Sequence, residues 1–115
     1  EPETGGRAQI DRVLEFIHQN IQRNIGRKEI AQAVYLNPEY LSRLFKKEMH
    51  IGLTEYLTQE RMKIAQTLLR STSLPIGLVA SRVGYVNFSH FARIFKKEYG
   101  VSPSEYRQTY RNVQS

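Results

Sequence analysis

Apolar residues recur every three or four positions along most of this chain, which is the spacing of an amphipathic α-helix. One such stripe predicts a helix over about residues 8–23, and another predicts a long helix over about residues 53–70. The stripes are Ile10, Val13, Leu14, Ile17 and Ile21 in the first helix, and Leu53, Tyr56, Leu57, Ile64, Ala65 and Leu68 in the second. No segment shows the alternation typical of a β-strand, so the pattern predicts an all-α protein.

A stretch of 21 residues is repeated after fifty positions. Residues 37–57 align with residues 87–107 with eight identities, and RLFKKE in the first copy returns as RIFKKE in the second. Just upstream, residues 30–34 match residues 79–83 at a shift of forty-nine, so one residue is gained or lost between the two blocks. A turn between two helices can absorb that difference. Each copy therefore predicts a short helix, a turn and a longer helix.

Residues that commonly begin helices lie at the expected places in both copies. Gly26 is the predicted N-cap of the first short helix, and Asn37, followed by a proline, is the predicted N-cap of the longer one. Asn87 takes the corresponding place in the second copy. The sequence SPSE at 102–105 is a capping box with proline in its first turn, and it predicts a last helix to about residue 110. The total is seven helices.

The two longer helices of the repeat each carry an apolar stripe that we expect in the core and a polar face opposite it. The stripes are Leu41, Leu44, Phe45 and Met49, and Phe91, Ile94, Phe95 and Tyr99. The polar faces are Glu39, Ser42, Arg43 and Lys46, and Ser89, Ala92, Arg93 and Lys96. An arginine on an exposed helix is usually only solvated. Its recurrence at the same helical position in both copies nevertheless favours a binding role.

Basic and acidic residues are unevenly distributed along the chain. The 115 residues carry a net charge of +6. Residues 1–40 hold 5 basic and 6 acidic side chains, whereas residues 41–115 hold 12 basic and 5 acidic ones. The basic excess thus begins where the first RLFKKE begins. A polyanion is the natural partner of such a surface, and nucleic acid is the commonest polyanion.

Other kinds of chemistry find little support in the sequence. There is no cysteine, and His18 and His50 have no second ligand at metal spacing, so we expect neither a metal site nor another cofactor. The only aspartate is Asp11, and no nucleophile motif or Gly-rich phosphate loop is present, so we expect no enzyme activity. No apolar run approaches the roughly 18 residues of a membrane span, which favours a soluble, cytoplasmic protein.

The stretch from about residue 10 to residue 111 resembles the DNA-binding domain of the AraC/XylS family of bacterial transcription regulators. The most specific part is VGYVNFSHFARIFKKEYGVSPSEYR at 83–107, and VYLNPEYLSRLFKKE at 34–48 is similar almost as closely. The resemblance implies two helix-turn-helix subdomains joined by a long central helix. The boundaries that follow are a linker end at 1–7, a first subdomain at 8–51, a connecting helix at 52–70, a second subdomain at 71–111 and a tail at 112–115.

The function that the resemblance implies is sequence-specific binding of double-stranded DNA, with both recognition helices in successive major grooves. A connecting helix of roughly 27 Å is of the order of the 34 Å between grooves on one face, so two boxes about 10 base pairs apart are expected. The expected base contacts are Glu39, Ser42 and Arg43 in one groove and Ser89, His90 and Arg93 in the other. The expected phosphate contacts are Lys46, Lys47, Lys96, Lys97, Arg61 and Arg107.

Several alternatives and partners remain open from sequence alone. The main rival hypothesis is a basic module that binds either nucleic acid without sequence preference or an acidic protein partner. A membrane-surface helix is disfavoured because the apolar stripes are needed to cover one another. Many members of the family carry this domain behind a regulatory domain, and EPETGG at residues 1–6 has the composition of a cut linker. The resemblance therefore implies an N-terminal regulatory domain outside this chain and RNA polymerase as a further partner.

Overall fold

The structure, a computed structural model, describes residues 2–114 and the side chains of residues 6–111. Seven α-helices and no β-strand occur within this described range. The helices are α1 (Pro2–Gln19), α2 (Arg27–Ala33), α3 (Pro38–Met49), α4 (Leu53–Ser71), α5 (Ile76–Arg82), α6 (Phe88–Tyr99) and α7 (Pro103–Gln114). The all-α class, the seven helices and the two helix-turn-helix pairs, α2–α3 and α5–α6, are confirmed.

The two terminal helices differ from their predicted bounds. The first helix was expected over about residues 8–23 but extends from Pro2 to Gln19. At this end the Asn20 side chain donates to the Phe16 carbonyl at 2.9 Å and so occupies one of the carbonyl groups of the last turn. Residues 2–7 of the expected linker and 112–114 of the expected tail continue α1 and α7, whereas positions 1 and 115 lie outside the described residues.

The first unit of the structure comprises residues up to 21 together with residues 25–59. Its core is the apolar side of α1, α2, α3 and the beginning of α4. Gly6 of α1 is buried against α3, and a Cβ at this position would lie only 3.3 Å from Leu44 Cδ1. The fully buried side chains at the centre are Ile10, Val13, Ile17, Ile30, Leu41 and Phe45. All the apolar stripe residues predicted for α1 and α3 belong to this core or pack against it.

The second unit comprises residues 22–24 and the residues from 60 onward. The helix α4 is continuous, so its first turns belong to the first unit and its later turns to the second. Aromatic rings dominate this second core: the Phe95 ring lies 6.0 Å from Phe91, 4.7 Å from Tyr99 and 5.5 Å from Tyr106. The fully buried side chains at its centre are Met62, Leu69, Val79, Val83, Phe91 and Phe95.

The turns of the two helix-turn-helix pairs share a hydrogen bond but differ in length. Leu36 N–H donates to the Ala31 carbonyl at 2.9 Å, and Tyr85 N–H donates to Ala80 at 3.0 Å, forty-nine positions later. In the first pair the N-cap asparagine follows Leu36 directly, whereas Val86 separates Tyr85 from the N-cap asparagine of the second pair. Val86 is therefore the extra residue that the repeat predicted.

Candidate nucleic-acid interface

The first candidate surface is the outer face of α3. The Asn37 side chain accepts hydrogen bonds from Glu39 N–H at 2.8 Å and from Tyr40 N–H at 3.2 Å, which fixes the start of the helix as predicted. Behind the face, the apolar stripe is anchored in the core by fully buried side chains. In front of it, Glu39 and Arg43 are exposed and Ser42 is half-buried. Arg43 has no hydrogen-bond or ion-pair partner among the described residues, so its guanidinium is available.

The second candidate surface is the outer face of α6, which repeats the same construction. Asn87 caps this helix by accepting from His90 N–H at 2.9 Å, and Phe91 and Phe95 anchor the inner side with no exposed surface. The predicted base-contacting side chains Ser89, His90 and Arg93 are all exposed. The His90 ring packs edge-on against Tyr85 at 5.5 Å, and this contact restricts its orientation. Within the described residues Arg93, like Arg43, makes no hydrogen bond or ion pair.

Two lysines extend each surface toward the end of its helix. Lys46 and Lys47 lie in the last turn of α3, and Lys96 and Lys97 lie in the last turn of α6, all of them exposed. A cation in the last turn also stabilises a helix through its dipole. These lysines thus have a favourable position in the free protein and remain accessible to phosphate groups.

A cation that the sequence pattern did not indicate adjoins the first surface. Arg27, the first residue of α2, donates from Nη1 to Ser42 Oγ at 3.2 Å. This contact positions the Ser42 hydroxyl and adds a positive charge next to it. The only sequence signal was that Arg27 begins the short helix of the pair, and the fold brings it to α3.

Two exposed apolar side chains at the start of α6 were not predicted either. Val86 is 86% exposed and Phe88 is 48% exposed. The predicted polar face began at Ser89 and so excluded both of them. Their exposure follows from the longer turn, which places an extra apolar residue in front of the N-cap.

The structure does not support the phosphate-binding role that was predicted for Arg61. This side chain is only 7% exposed, and its Nη2 donates to the Arg23 carbonyl at 2.9 Å. The guanidinium also lies 5.8 Å from the centre of the Tyr85 ring. Burial lowers the pKa of Arg61 from its usual value, with the Tyr85 hydroxyl acting in the opposite direction. A guanidinium in this position holds the loop before α2 and cannot reach a phosphate at the surface.

Arg107, the other arginine predicted to contact phosphate, also points into its unit. Its Nε donates to the Leu69 carbonyl at 3.1 Å, and burial, followed by the nearby charge of Arg111, lowers its pKa. Arg111 itself donates from Nη2 to the Thr72 carbonyl at 3.0 Å. These contacts tie α7 to the end of α4 and the loop before α5. Arg107 therefore makes a structural contact that the sequence did not indicate, and because it is only half-buried its phosphate contact stays a prediction.

In the described part of the chain, potential metal ligands do not cluster and no helix could span a membrane. No group of three or more His, Cys, Asp or Glu side chains there could hold a metal ion. The Nε2 atom of His18 lies 3.1 Å from the Tyr56 hydroxyl oxygen. None of the described helices is both long enough and apolar enough to cross a bilayer.

The chain is similar to known regulators of transcription. The family model of a helix-turn-helix domain matches residues 30–109. The chain is 38% identical over 112 residues to the HTH-type transcriptional regulator YijO of Escherichia coli (strain K12). This alignment covers 96% of the chain but 40% of YijO, so the chain spans about two fifths of the length of that relative.

Solved structures share the fold as well. The C-terminal domain of AraT, a response regulator from Geobacillus stearothermophilus, matches with a TM-score of 0.85 and 38% identity, covering 88% of this chain and 84% of that one. The DNA-binding domain of AdpA, determined in complex with a target DNA, has the same fold with a TM-score of 0.83 at 23% identity, covering 88% and 91% of the two chains. The proteins of this group are transcription regulators, not enzymes. The chain belongs to the AraC/XylS family of helix-turn-helix DNA-binding domains.

Proposed function

We propose that this chain binds double-stranded DNA sequence-specifically, with α3 in one major groove and α6 in another, and thereby regulates bacterial transcription. The observation that carries the proposal is the pair Arg43 and Arg93. Both arginines are exposed, lack a partner among the described residues and lie at the same position of a helix that is capped by asparagine and anchored by buried phenylalanine. An arginine in this setting suits bidentate contact with guanine O6 and N7.

The side chains around each arginine supply the remaining base contacts of the proposal. Glu39 accepts a hydrogen bond from cytosine N4, and Ser42, held by Arg27, contacts a base edge next to it. In the second groove Ser89 and His90 take these positions. Since an acidic side chain repels phosphate, Glu39 contributes more to the rejection of wrong bases than to affinity.

The lysines of the last helical turns contact phosphates in this proposal. Lys46, Lys47, Lys96 and Lys97 are exposed and adjoin the base-contacting faces. Phosphate contacts fix the position of a protein on DNA but carry no sequence information. We therefore assign affinity to the lysines and specificity to the residues that precede them in each helix.

We propose the setting of this activity on the basis of the same family assignment. Each unit binds one box, and the boxes lie about 10 base pairs apart so that both grooves face the protein. An N-terminal regulatory domain outside this chain controls the binding, RNA polymerase is the downstream partner, and the bacterial cytoplasm is the compartment. The basic excess of residues 41–115 is consistent with a polyanionic ligand.

Selection of bound duplexes from a random pool about 30 base pairs long tests the proposal, because such a duplex holds two boxes one turn apart. The selection is carried out at physiological salt, where nonspecific phosphate binding is weakened. Two enriched boxes about one turn apart are the expected result. Binding without any enriched sequence would overturn the proposal in favour of a nonspecific basic module, and one enriched box would leave sequence recognition to a single unit.

A further inference from the structure

The start of α6 carries exposed apolar side chains that the start of α3 lacks, and the proposed polar contacts with DNA do not explain them. The turn before α6 contains the extra residue Val86, and the first residue of the helix is Phe88, where α3 begins with Pro38. Val86 is 86% exposed and Phe88 is 48% exposed. Exposing two large apolar side chains that line one cavity is unfavourable in the free protein, so their placement points to a bound state that covers them.

These two side chains are held in place by the core behind them. The Phe88 ring lies 6.5 Å from the buried Phe91 ring, and Phe91 in turn packs at 5.5 Å against Tyr85. Val86 and Phe88 both line an open cavity of about 410 Å³. A β-branched valine has few rotamers, and the phenylalanine ring is supported on one side. The pair therefore presents a preformed apolar surface, which we call the apolar tip.

The apolar tip is continuous with the proposed base-contacting face of the second unit. Phe88 is followed directly by Ser89 and His90, and Val86 precedes the N-cap of the same helix. The N-terminal residues of a recognition helix are those that contact base edges in a major groove. The apolar feature of that groove is the C5-methyl group of thymine.

We infer that the apolar tip, Val86 and Phe88, contacts thymine methyl groups in the box bound by α6, and that this contact makes the specificity of the second unit differ from that of the first. The inference rests on the proposed function, since it requires α6 to enter a major groove. The first unit has no residue corresponding to Val86. Its exposed large hydrophobic side chains are Tyr35 and Tyr40, and both carry hydroxyl groups. Apolar recognition is therefore expected at one box only.

Deoxyuridine provides the test, because it removes the methyl group of thymine and leaves the hydrogen-bonding groups of the base pair unchanged. Each thymine in a selected duplex is replaced singly, and the dissociation constant is measured for the wild-type chain, Val86→Ala and Phe88→Ala. The expected result is at least one thymine in the α6 box at which deoxyuridine weakens wild-type binding by about fourfold, the value for one buried methyl group. At that position the same replacement should have no effect on Val86→Ala or on Phe88→Ala.

Leu78→Ala is the matched control, because Leu78 is a 41% exposed apolar side chain on α5 of the same unit but outside the tip. This variant should retain the full deoxyuridine effect. Thermal unfolding of all three variants checks that each remains folded. An α6 box without thymine, no deoxyuridine effect in the wild type, or an equal effect in all variants would each overturn the inference. Any of these results alongside two enriched boxes leaves the proposed function intact, whereas the absence of enriched boxes rejects both.

Discussion

Tyr35 and Gly84 occupy the same position in the turns of the two helix-turn-helix pairs, and both have a left-handed backbone, with φ of 61° and 93°. Glycine adopts this conformation freely, whereas a side chain with a Cβ is strained in it. The same contrast recurs after the longer helices, where His50 (φ 62°) corresponds to Gly100 (φ 81°). The first unit thus retains non-glycine residues at two positions whose backbone favours glycine.

Tyr35→Gly should stabilise the first unit by about 0.5–1 kcal/mol. Relief of left-handed strain contributes roughly 1–2 kcal/mol, and the greater entropy of glycine in the unfolded chain offsets part of it. Few contacts are lost because the Tyr35 side chain is 93% exposed. Urea denaturation measures the change, and amide hydrogen exchange assigns it to the first unit.

Gly100→Ala is the reciprocal control, since an added Cβ at this position meets no atom within 4 Å and tests the backbone alone. It should destabilise the second unit by about 1 kcal/mol. A destabilising Tyr35→Gly together with a neutral Gly100→Ala would show that left-handed strain does not set the stability of these turns.

Arg61→Ala should destabilise the chain by about 3 kcal/mol. The variant loses a charged hydrogen bond to the Arg23 carbonyl and the packing of a 7% exposed side chain. Arg43→Ala, which removes an exposed arginine, should change stability by no more than about 0.5 kcal/mol. Denaturant unfolding compares the free energies of unfolding of the two variants, and salt titration of DNA binding compares the salt dependence of their affinities. Suppose that Arg61→Ala is as stable as Arg43→Ala, and that its DNA affinity depends less steeply on salt concentration than that of the wild type. The phosphate role predicted from sequence would then be restored.

The capping box at the start of α7 makes stability depend on acid pH. Ser102 N–H donates to Glu105 Oε1 at 2.9 Å, and Glu105 N–H donates to Ser102 Oγ at 3.1 Å. Hydrogen bonding from Ser102 lowers the pKa of Glu105 below its usual value, with Lys96 adding to the effect and partial desolvation opposing it. A carboxylate whose pKa is lower in the folded chain contributes stability above its unfolded pKa of about 4.3. That contribution is lost as the pH falls through the lower, folded value.

Glu105→Gln should remove this acid sensitivity while keeping a side chain of the same shape at the third helical position. The pH dependence of urea unfolding between about 2 and 6 is compared for the two chains, since this window spans the folded and unfolded pKa values. The difference in unfolding free energy should be largest near the top of the window and should vanish at the bottom. A difference that stays constant across the window would mean that the charge of Glu105 contributes nothing.

Local signals made much of this fold predictable. Asparagine N-caps at positions 37 and 87, the capping box at 102–105 and the apolar stripes of α1, α3 and α6 depend only on residues close in sequence, and all of them are present in the structure. The stripe predicted for α4 is correct only in part, because Ile64 is exposed while Met62 and Leu69, which the stripe left out, are fully buried. The exposure of Arg43 and Arg93 follows from the same periodicity. Their predicted contacts with bases remain a prediction.

What the sequence could not provide are the contacts made across the chain. Arg61 and Arg107 were assigned to phosphates because they are basic, but each donates to a carbonyl thirty-eight positions away. The contact of Arg27 with Ser42 likewise depends on the packing of α2 against α3. The left-handed backbone of Tyr35 did have a signal, since the aligned residue of the repeat is glycine. The true start of α1 had none, because Gly5 and Gly6 disfavour a helix until α3 packs against it.

Arg43→Ala and Lys46→Ala separate specificity from affinity in the first unit. Both side chains are exposed cations on α3, separated by one turn, so neither substitution should perturb folding. Loss of a bidentate guanine contact should cost about 1–3 kcal/mol on the selected duplex and relax the preference at one base pair. Loss of a phosphate contact should weaken all duplexes about equally and reduce the salt slope by about one.

The measurement is a set of dissociation constants for single-base variants of the selected duplex at several salt concentrations. Arg93→Ala and Lys96→Ala repeat the comparison at the second box, where the same division is expected because the two helices share their caps, their anchors and their exposed arginine. Equal behaviour of Arg43→Ala and Lys46→Ala on every duplex would rule out base contact by the arginine. The box at which Arg43→Ala relaxes the preference is then the box bound by α3, because a base preference can be lost only where the removed side chain made its contact.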